Sequence, residues 1–134
     1  MQAQILNLLM DLQAEYNLGL VYITHNLSVA RKISDKVGVM YLGTIVEYGD
    51  AETIFEDPQH PYTQALLSAN PIPDPTVDRE RIPLEGTIPD PIDIGDGCRF
   101  APRCPEAEAR CETAEMGLEP FEGDPDHQVD CIKR

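Results

Sequence analysis

Four cysteines and one histidine are the residues of this 134-residue chain best suited to chemistry. Cys98, Cys104, Cys111 and Cys131 follow a C-x5-C-x6-C-x19-C spacing, and no cysteine occurs before them. Three readings compete for such a group: two disulfides, four unrelated thiols, or four thiolates on one metal centre. Confinement to the last quarter of the chain speaks against coincidence. A four-cysteine set suits tetrahedral Zn²⁺ or an iron–sulfur cluster, although no CxxC knuckle of the zinc-ribbon kind is present. Arg99, Arg103 and Arg110 each adjoin a cysteine. Cations there favour thiolate over thiol, or simply balance Glu106, Glu108 and Glu112. The histidine, His25, follows the apolar run Leu20-Val21-Tyr22-Ile23-Thr24, whose length suits a buried strand. The carboxyl end of such a strand is where open α/β sheets bind ligands; a polar loop residue is the plainer alternative.

The elements that must position these residues can be read from the pattern. Gln2 to Tyr16 places Ile5, Leu8, Leu9, Leu12 and Tyr16 at helical spacing, and Asn17-Leu18-Gly19 supplies the stop. Helix followed by apolar strand is half of a βαβ repeat, so the chain is expected to begin in the middle of a fold. Asn26 is the expected N-cap of a helix over 27–33 that buries Leu27, Ala30 and Ile33. Val37 to Tyr41 and Thr44 to Tyr48 flank Leu42-Gly43 and predict a β-hairpin. Asp50 is expected to cap a short helix through Phe55. Pro61 suits the first turn of another helix, on which Tyr62 and Leu66 form an apolar i, i+4 pair. From Asn70 to Gly97, prolines and glycines predict a linker or wrapping segment, with β-like pieces such as Arg81 to Leu84.

Charge and hydropathy exclude several classes. The net charge is −14, with 24 acidic against 10 basic residues, which disfavours nucleic acid because phosphate contacts need clustered Lys and Arg. The imbalance lies downstream: residues 1–50 hold five acids and three bases, residues 51–134 nineteen and seven. Such a surface is that of a halophilic protein or of a solvated tail. No apolar run approaches the roughly 18 residues that span a bilayer, and the N-terminus lacks the pattern of an export signal. A cytoplasmic setting, in which disulfides are rare, is therefore expected.

Several motifs together resemble the C-terminal part of ATP-binding subunits of oligopeptide/dipeptide ABC transporters. Gln2 to Leu6 resembles the segment after the family's D-loop, and Tyr22-Ile23-Thr24-His25-Asn26-Leu27 its switch-histidine region. MYLGxIVExG stands at Met40 to Gly49, and HPYTxALL, which marks the peptide-transporter branch, at His60 to Leu67. LEGxxPxP stands at Leu84 to Pro91, GCRFxPRCP at Gly97 to Pro105, and a terminal histidine-then-cysteine at PDHQVDC.

This resemblance implies an α/β fold: the end of a P-loop ABC nucleotide-binding domain (helix, strand, helix, β-hairpin) followed by a Pro-rich, loop-rich four-Cys extension. It divides the chain into residues 1–56 of the ATPase domain, an HPYT helix over 57–70 and the extension over 71–134. His25 would be the switch histidine that contacts the ATP γ-phosphate; Asn26 stands where Asp is common. Cys98, Cys104, Cys111 and Cys131 match cysteines that in some members hold an iron–sulfur cluster, which favours 4Fe-4S over Zn. ATP with Mg would be the cofactor of the complete domain. The partners would be a second ATP-binding subunit, transmembrane permease subunits and a solute-binding protein, at the cytoplasmic face of the plasma membrane. The P-loop GxxxxGK[ST], ABC signature, Q-loop and Walker B residues are missing from the sequence, so the chain alone is expected to be inactive as an ATPase. With neighbours of the first helix and strand missing, exposed apolar surface and marginal stability are expected. The alternative is a stand-alone metal- or iron–sulfur-binding module with a regulatory role.

Overall fold

A computed structural model describes residues 2–70, 80–88, 90 and 95–134. Half of the Pro-rich stretch, including Pro71, Pro73, Pro75, Pro89 and Pro91, lies outside the described residues. The chain forms two compact units, Met1–Asp35 and Lys36–Arg134.

The first unit holds α1 (Gln2–Tyr16) and α2 (Leu27–Ile33). Asn17, at φ 53°, ends α1 in the left-handed conformation, and the Leu18 N–H donates to the Gln13 carbonyl at 3.1 Å. That is a Schellman-type closure with asparagine in the glycine role. Between the helices, Leu20 to Thr24 forms no strand, contrary to the buried strand expected of it. Val21 is 94% and Ile23 88% exposed. A strand exists only through ladder hydrogen bonds to a neighbour, and no strand among the described residues pairs with this run. The same exposure extends to Ile5, Leu8, Leu12 and Tyr16 of α1. Nor does α2 bury Leu27, Ala30 and Ile33; all three are only half-buried. Its cap is as anticipated, the Val29 N–H donating to Asn26 Oδ1 at 3.3 Å.

The second unit is built on β1 (Lys36–Tyr41) and β2 (Thr44–Asp50). Leu42 and Gly43 connect them with φ of 46° and 81°, the double positive φ of a type I′ turn, whose twist matches that of the strands. The register slips between Val39 and Met40: Val39 faces Glu47 while Met40 faces Ile45, leaving Val46 as the extra residue of a β-bulge. The bulge breaks the in–out alternation, so consecutive residues Val46 and Glu47 are both buried. Two short helices follow, α3 (Ala51–Glu56) and α4 (Pro61–Ser68). The Asp50 side chain does not cap α3; it pairs with Lys36 Nζ at 3.2 Å instead.

The cysteine-bearing segment is more regular than its prolines suggested. After 3-10 turns at Ala101–Arg103 and Ala109–Glu112 it forms β3 (Glu119–Phe121) and β4 (Asp124–Val129). These join the hairpin in one antiparallel sheet of order β1-β2-β4-β3. Arg81 to Leu84 pairs with no strand; the Ile82 N–H donates to Ser68 Oγ at 3.0 Å, and Leu84 packs on the core. That core is Val39, Tyr41, Val46, Ile54 and Phe100, with Tyr62 and Leu66 of α4 against it. Phe100 is its keystone. It meets the Tyr41 ring edge-on at 5.2 Å and the Tyr62 ring at 5.3 Å, geometries that suit the aromatic quadrupoles.

Candidate functional site

His25 stands on the turn that leads into α2, and its side chain is exposed. The turn is fixed locally: the Asn26 N–H donates to Thr24 Oγ1 at 2.9 Å, and Asn26 in turn caps α2. The histidine thus has a defined backbone and an open side chain, the arrangement a ligand-sensing residue needs.

The second site lies in the Lys36–Arg134 unit. Cys98, Cys104, Cys111 and Cys131 all line one small pocket that is partly open to solvent. The turns around them explain the grouping. The Cys98 N–H donates to the Cys111 carbonyl at 2.8 Å, clasping the first cysteine to the third. Carbonyls of Cys98, Cys104 and Cys131 each accept from the amide three residues on, at 3.0, 3.2 and 3.1 Å. Gly97 makes the clasp possible, because a Cβ there would lie 2.2 Å from the Glu112 carbonyl oxygen. His60 and Pro61 at the start of α4, with Phe100, Ala101 and Ile132, complete much of the wall.

All four cysteines are free thiols, so the two-disulfide reading has no counterpart in the structure. Burial pushes the Cys98 thiol up, opposed by the backbone amides of Phe100 and Ala101 and reinforced by nearby Cys131. Burial likewise raises Cys104, opposed by the Glu106 amide and reinforced by Glu106, Cys131 and Cys111. Amides directed at sulfur are what a thiolate-bound centre uses to spread its charge. Two of the three flanking arginines are engaged elsewhere. Arg99 donates to the Leu42 carbonyl at the hairpin turn, and Arg110 pairs with Glu108 at 2.8 Å. Among the described residues, no three His, Cys, Asp or Glu side chains are arranged to hold one metal ion. The cysteines share a cavity without closing on a point.

Three residues of this site were not singled out in the sequence: Glu47, His60 and His127. Glu47 is fully buried at 0% exposure, and His60 and His127 are buried beside it. Glu47 Oε1 accepts the Gln59 N–H at 2.8 Å and lies 2.8 Å from His127 Nε2, while Oε2 accepts the His60 N–H at 3.0 Å. His60 Nδ1 accepts the Tyr62 N–H at 3.1 Å and caps α4. That leaves the proton on Nε2, facing the Asp130 backbone. Burial lowers the His60 pKa to about 4; nearby Arg134 acts in the same direction, against the Asp130 carbonyl and Glu106. A lone acid in the apolar run Ile45-Val46-Glu47-Tyr48, in a chain with only three histidines, was the signal available.

The exposed His25 turn thus lies in one unit, and the cysteine pocket, built onto a β-hairpin, in the other. Residues 46–111 match the family model described as oligopeptide/dipeptide transporter, C-terminal region. The "Probable peptide ABC transporter ATP-binding protein y4tS" of Sinorhizobium fredii is 50% identical over 120 residues, covering 90% of this chain and 34% of its own length. The "Dipeptide transport ATP-binding protein DppF" of Haemophilus influenzae is 52% identical over 118 residues, covering 88% of this chain and 36% of itself. The "Oligopeptide transport ATP-binding protein OppF" of Salmonella typhimurium is 47% identical over 134 residues, covering 98% and 39%. The chain belongs to the family of oligopeptide/dipeptide ABC transporter ATP-binding proteins, of which it represents the C-terminal part. It spans between a third and two fifths of the length of these curated relatives.

Proposed function

We propose that these residues form the C-terminal part of the ATP-binding subunit of a peptide importer, in which His25 contacts the γ-phosphate of ATP. The observation that carries this is identity near 50% to peptide-transport ATP-binding proteins across nine tenths of the chain. A neutral imidazole can donate one hydrogen bond to a phosphate oxygen and accept another from the attacking water. The exposed His25 on its capped turn is free to do so. Phosphoryl transfer further requires a P-loop lysine, Mg²⁺ ligands and a signature from the rest of such a domain. The second ATP-binding subunit, permease subunits and a solute-binding protein are the partners that follow, and the cytoplasmic face of the membrane is the location. Among the described residues, no helix is long and apolar enough to cross a membrane, in keeping with a peripheral subunit. The test joins this chain to the upstream two thirds of a relative's nucleotide-binding subunit and measures ATP turnover. Activity that depends on the chain and is lost in His25→Ala is expected. Equal turnover by the chain alone, or by His25→Ala, would refute the assignment.

The same reading gives Cys98, Cys104, Cys111 and Cys131 as ligands of a metal centre, with 4Fe-4S preferred to Zn. Support comes from the shared pocket and from the amides aimed at the Cys98 and Cys104 sulfurs. A single Zn²⁺ would need all four sulfurs about 2.3 Å from one point. A cluster, whose own iron and sulfide fill the middle, holds its cysteines farther apart, which suits four cysteines that line one pocket without closing on a single point. When bound, such a centre would cross-link the cysteine segment through four thiolates. Anaerobic purification with iron, sulfide and zinc analysis checks this. Iron and sulfide in near-equal amounts are expected, and colourless protein with neither metal would overturn it.

A further inference from the structure

A fully buried carboxylate is costly unless hydrogen bonds surround it, and the partners of Glu47 come from two segments that each help line the cysteine pocket. One is the start of α4, with the amides of Gln59 and His60. His60 and Pro61 themselves line the pocket there. The other is β4, through His127, four residues before Cys131, which with Ile132 and Lys133 also lines the pocket. The backbone alone ties β4 down weakly, because its pairing with β2 consists of Glu47 opposite Val129 and Tyr48 opposite Gln128. Beyond this pair, the Asp130 N–H donates to the Val46 carbonyl at 2.8 Å, and Arg134 Nε donates to the Gln59 carbonyl at 2.9 Å. Gly49 admits the His127 ring closely: a Cβ there would lie 3.4 Å from the ring and 3.3 Å from the Asp126 carbonyl oxygen.

We propose that Glu47 is a positioning residue that seats Cys131 in the four-cysteine pocket, by holding His127 of β4 and the first amides of α4 on one carboxylate. The sharing of one carboxylate couples the two segments: releasing His127 frees the strand that leads to Cys131, while Cys98, Cys104 and Cys111 keep their own turn and clasp hydrogen bonds. The inference rests on reading the four cysteines as one site, but its test needs no metal.

The reduced full-length chain, with chelator present, is alkylated with iodoacetamide under native conditions, and each cysteine's rate is read by peptide mass spectrometry. Glu47→Ala is expected to raise the Cys131 rate relative to Cys98 and Cys104 by about tenfold, the effect of losing one buried charge-assisted hydrogen bond. Glu47→Gln keeps one acceptor oxygen and turns an NH2 donor toward the remaining partner, so it should restore the protection only in part. His127→Ala, which removes only the arm to β4, should release Cys131 selectively. An unchanged Cys131 ratio in Glu47→Ala overturns the proposal. Should Glu47→Ala expose all four thiols alike by unfolding, His127→Ala decides: selective release supports the pin, and uniform or no release overturns it. Failure of the metal-site reading appears separately, as wild-type protein without iron or zinc whose Cys131 still responds to Glu47.

Discussion

Acid should destabilise the Lys36–Arg134 unit through one buried imidazole. His60 is 1% exposed, its Nδ1 is occupied by the Tyr62 amide, and its pKa is lowered to about 4. In the unfolded chain it titrates at the ordinary value of about 6.5. Between these two values the unfolded state holds a proton that the folded state refuses, so stability rises with pH and falls on acidification. The stabilisation is present above the unfolded pKa and is fully lost once pH reaches the folded value of about 4. The interval from about 6.5 to about 4, at about 1.4 kcal/mol per pH unit, corresponds to about 3 kcal/mol, of which about 2 is lost between pH 7 and pH 5. Urea unfolding at those two pH values, on wild type and His60→Asn, measures it. Asparagine can cap α4 through its side-chain oxygen, and the His60 amide to Glu47 is a backbone contact that the variant keeps. Wild type should lose about 2 kcal/mol more than His60→Asn on acidification. Equal losses would show that His60 does not titrate across folding, and the account of its burial would fail.

Three further outcomes follow from packing and charge. Phe100→Ala removes the ring shared by Tyr41, Tyr62 and His60 and should cost about 3–5 kcal/mol in denaturant unfolding; a loss under about 1 kcal/mol would place the core elsewhere. Gly97→Ala drives a Cβ to 2.2 Å from the Glu112 carbonyl oxygen, which a backbone atom cannot yield to, so the clasp between Cys98 and Cys111 should open. A loss of about 3 kcal/mol or more is expected, with faster alkylation of the buried Cys111. Since 24 acids face 10 bases, raising KCl from about 0.1 to about 1 M shortens the screening length from about 10 to about 3 Å. The unfolding midpoint should rise with it; a flat or falling midpoint would mean that self-repulsion does not limit this fold.

The hairpin, its two-residue turn and the capped starts of α2 and α4 were legible because each depends on neighbours in sequence. Leu42-Gly43 specifies a type I′ turn locally, and Asn26 and Pro61 mark helix starts by chemistry that acts within one turn. Leu20 to Thr24 was misjudged for the opposite reason. Its β-branched, apolar composition suits a strand, but a strand is completed by partners, and none pairs with it among the described residues. The four cysteines were found from clustering alone, and the structure gathers them on one pocket. What composition could not convey was how the pocket is held. The bulge at Val39/Met40 turns Glu47 inward beside Val46, and an acid in a strand ordinarily reads as solvent-facing. His127 was noted only as the neighbour of a cysteine, and two of the arginines beside the cysteines, Arg99 and Arg110, serve Leu42 and Glu108.

Those same contacts bear on whether the cysteine segment is a module in its own right. A self-sufficient metal module would carry its own core and its own sheet. Here β4 takes its place in the sheet only by pairing with β2, and β3 is joined through β4. The largest fully buried side chain of the segment, Phe100, packs on Tyr41 of β1 and Tyr62 of α4. His127 has its carboxylate on β2. Cut away from residues 36–68, the segment would expose an aromatic core residue and an unpaired strand edge, and would lose the buried acceptor of His127. Its cysteines are therefore held by the family's hairpin and HPYT helix, and any centre bound there is coupled to the hairpin through β2.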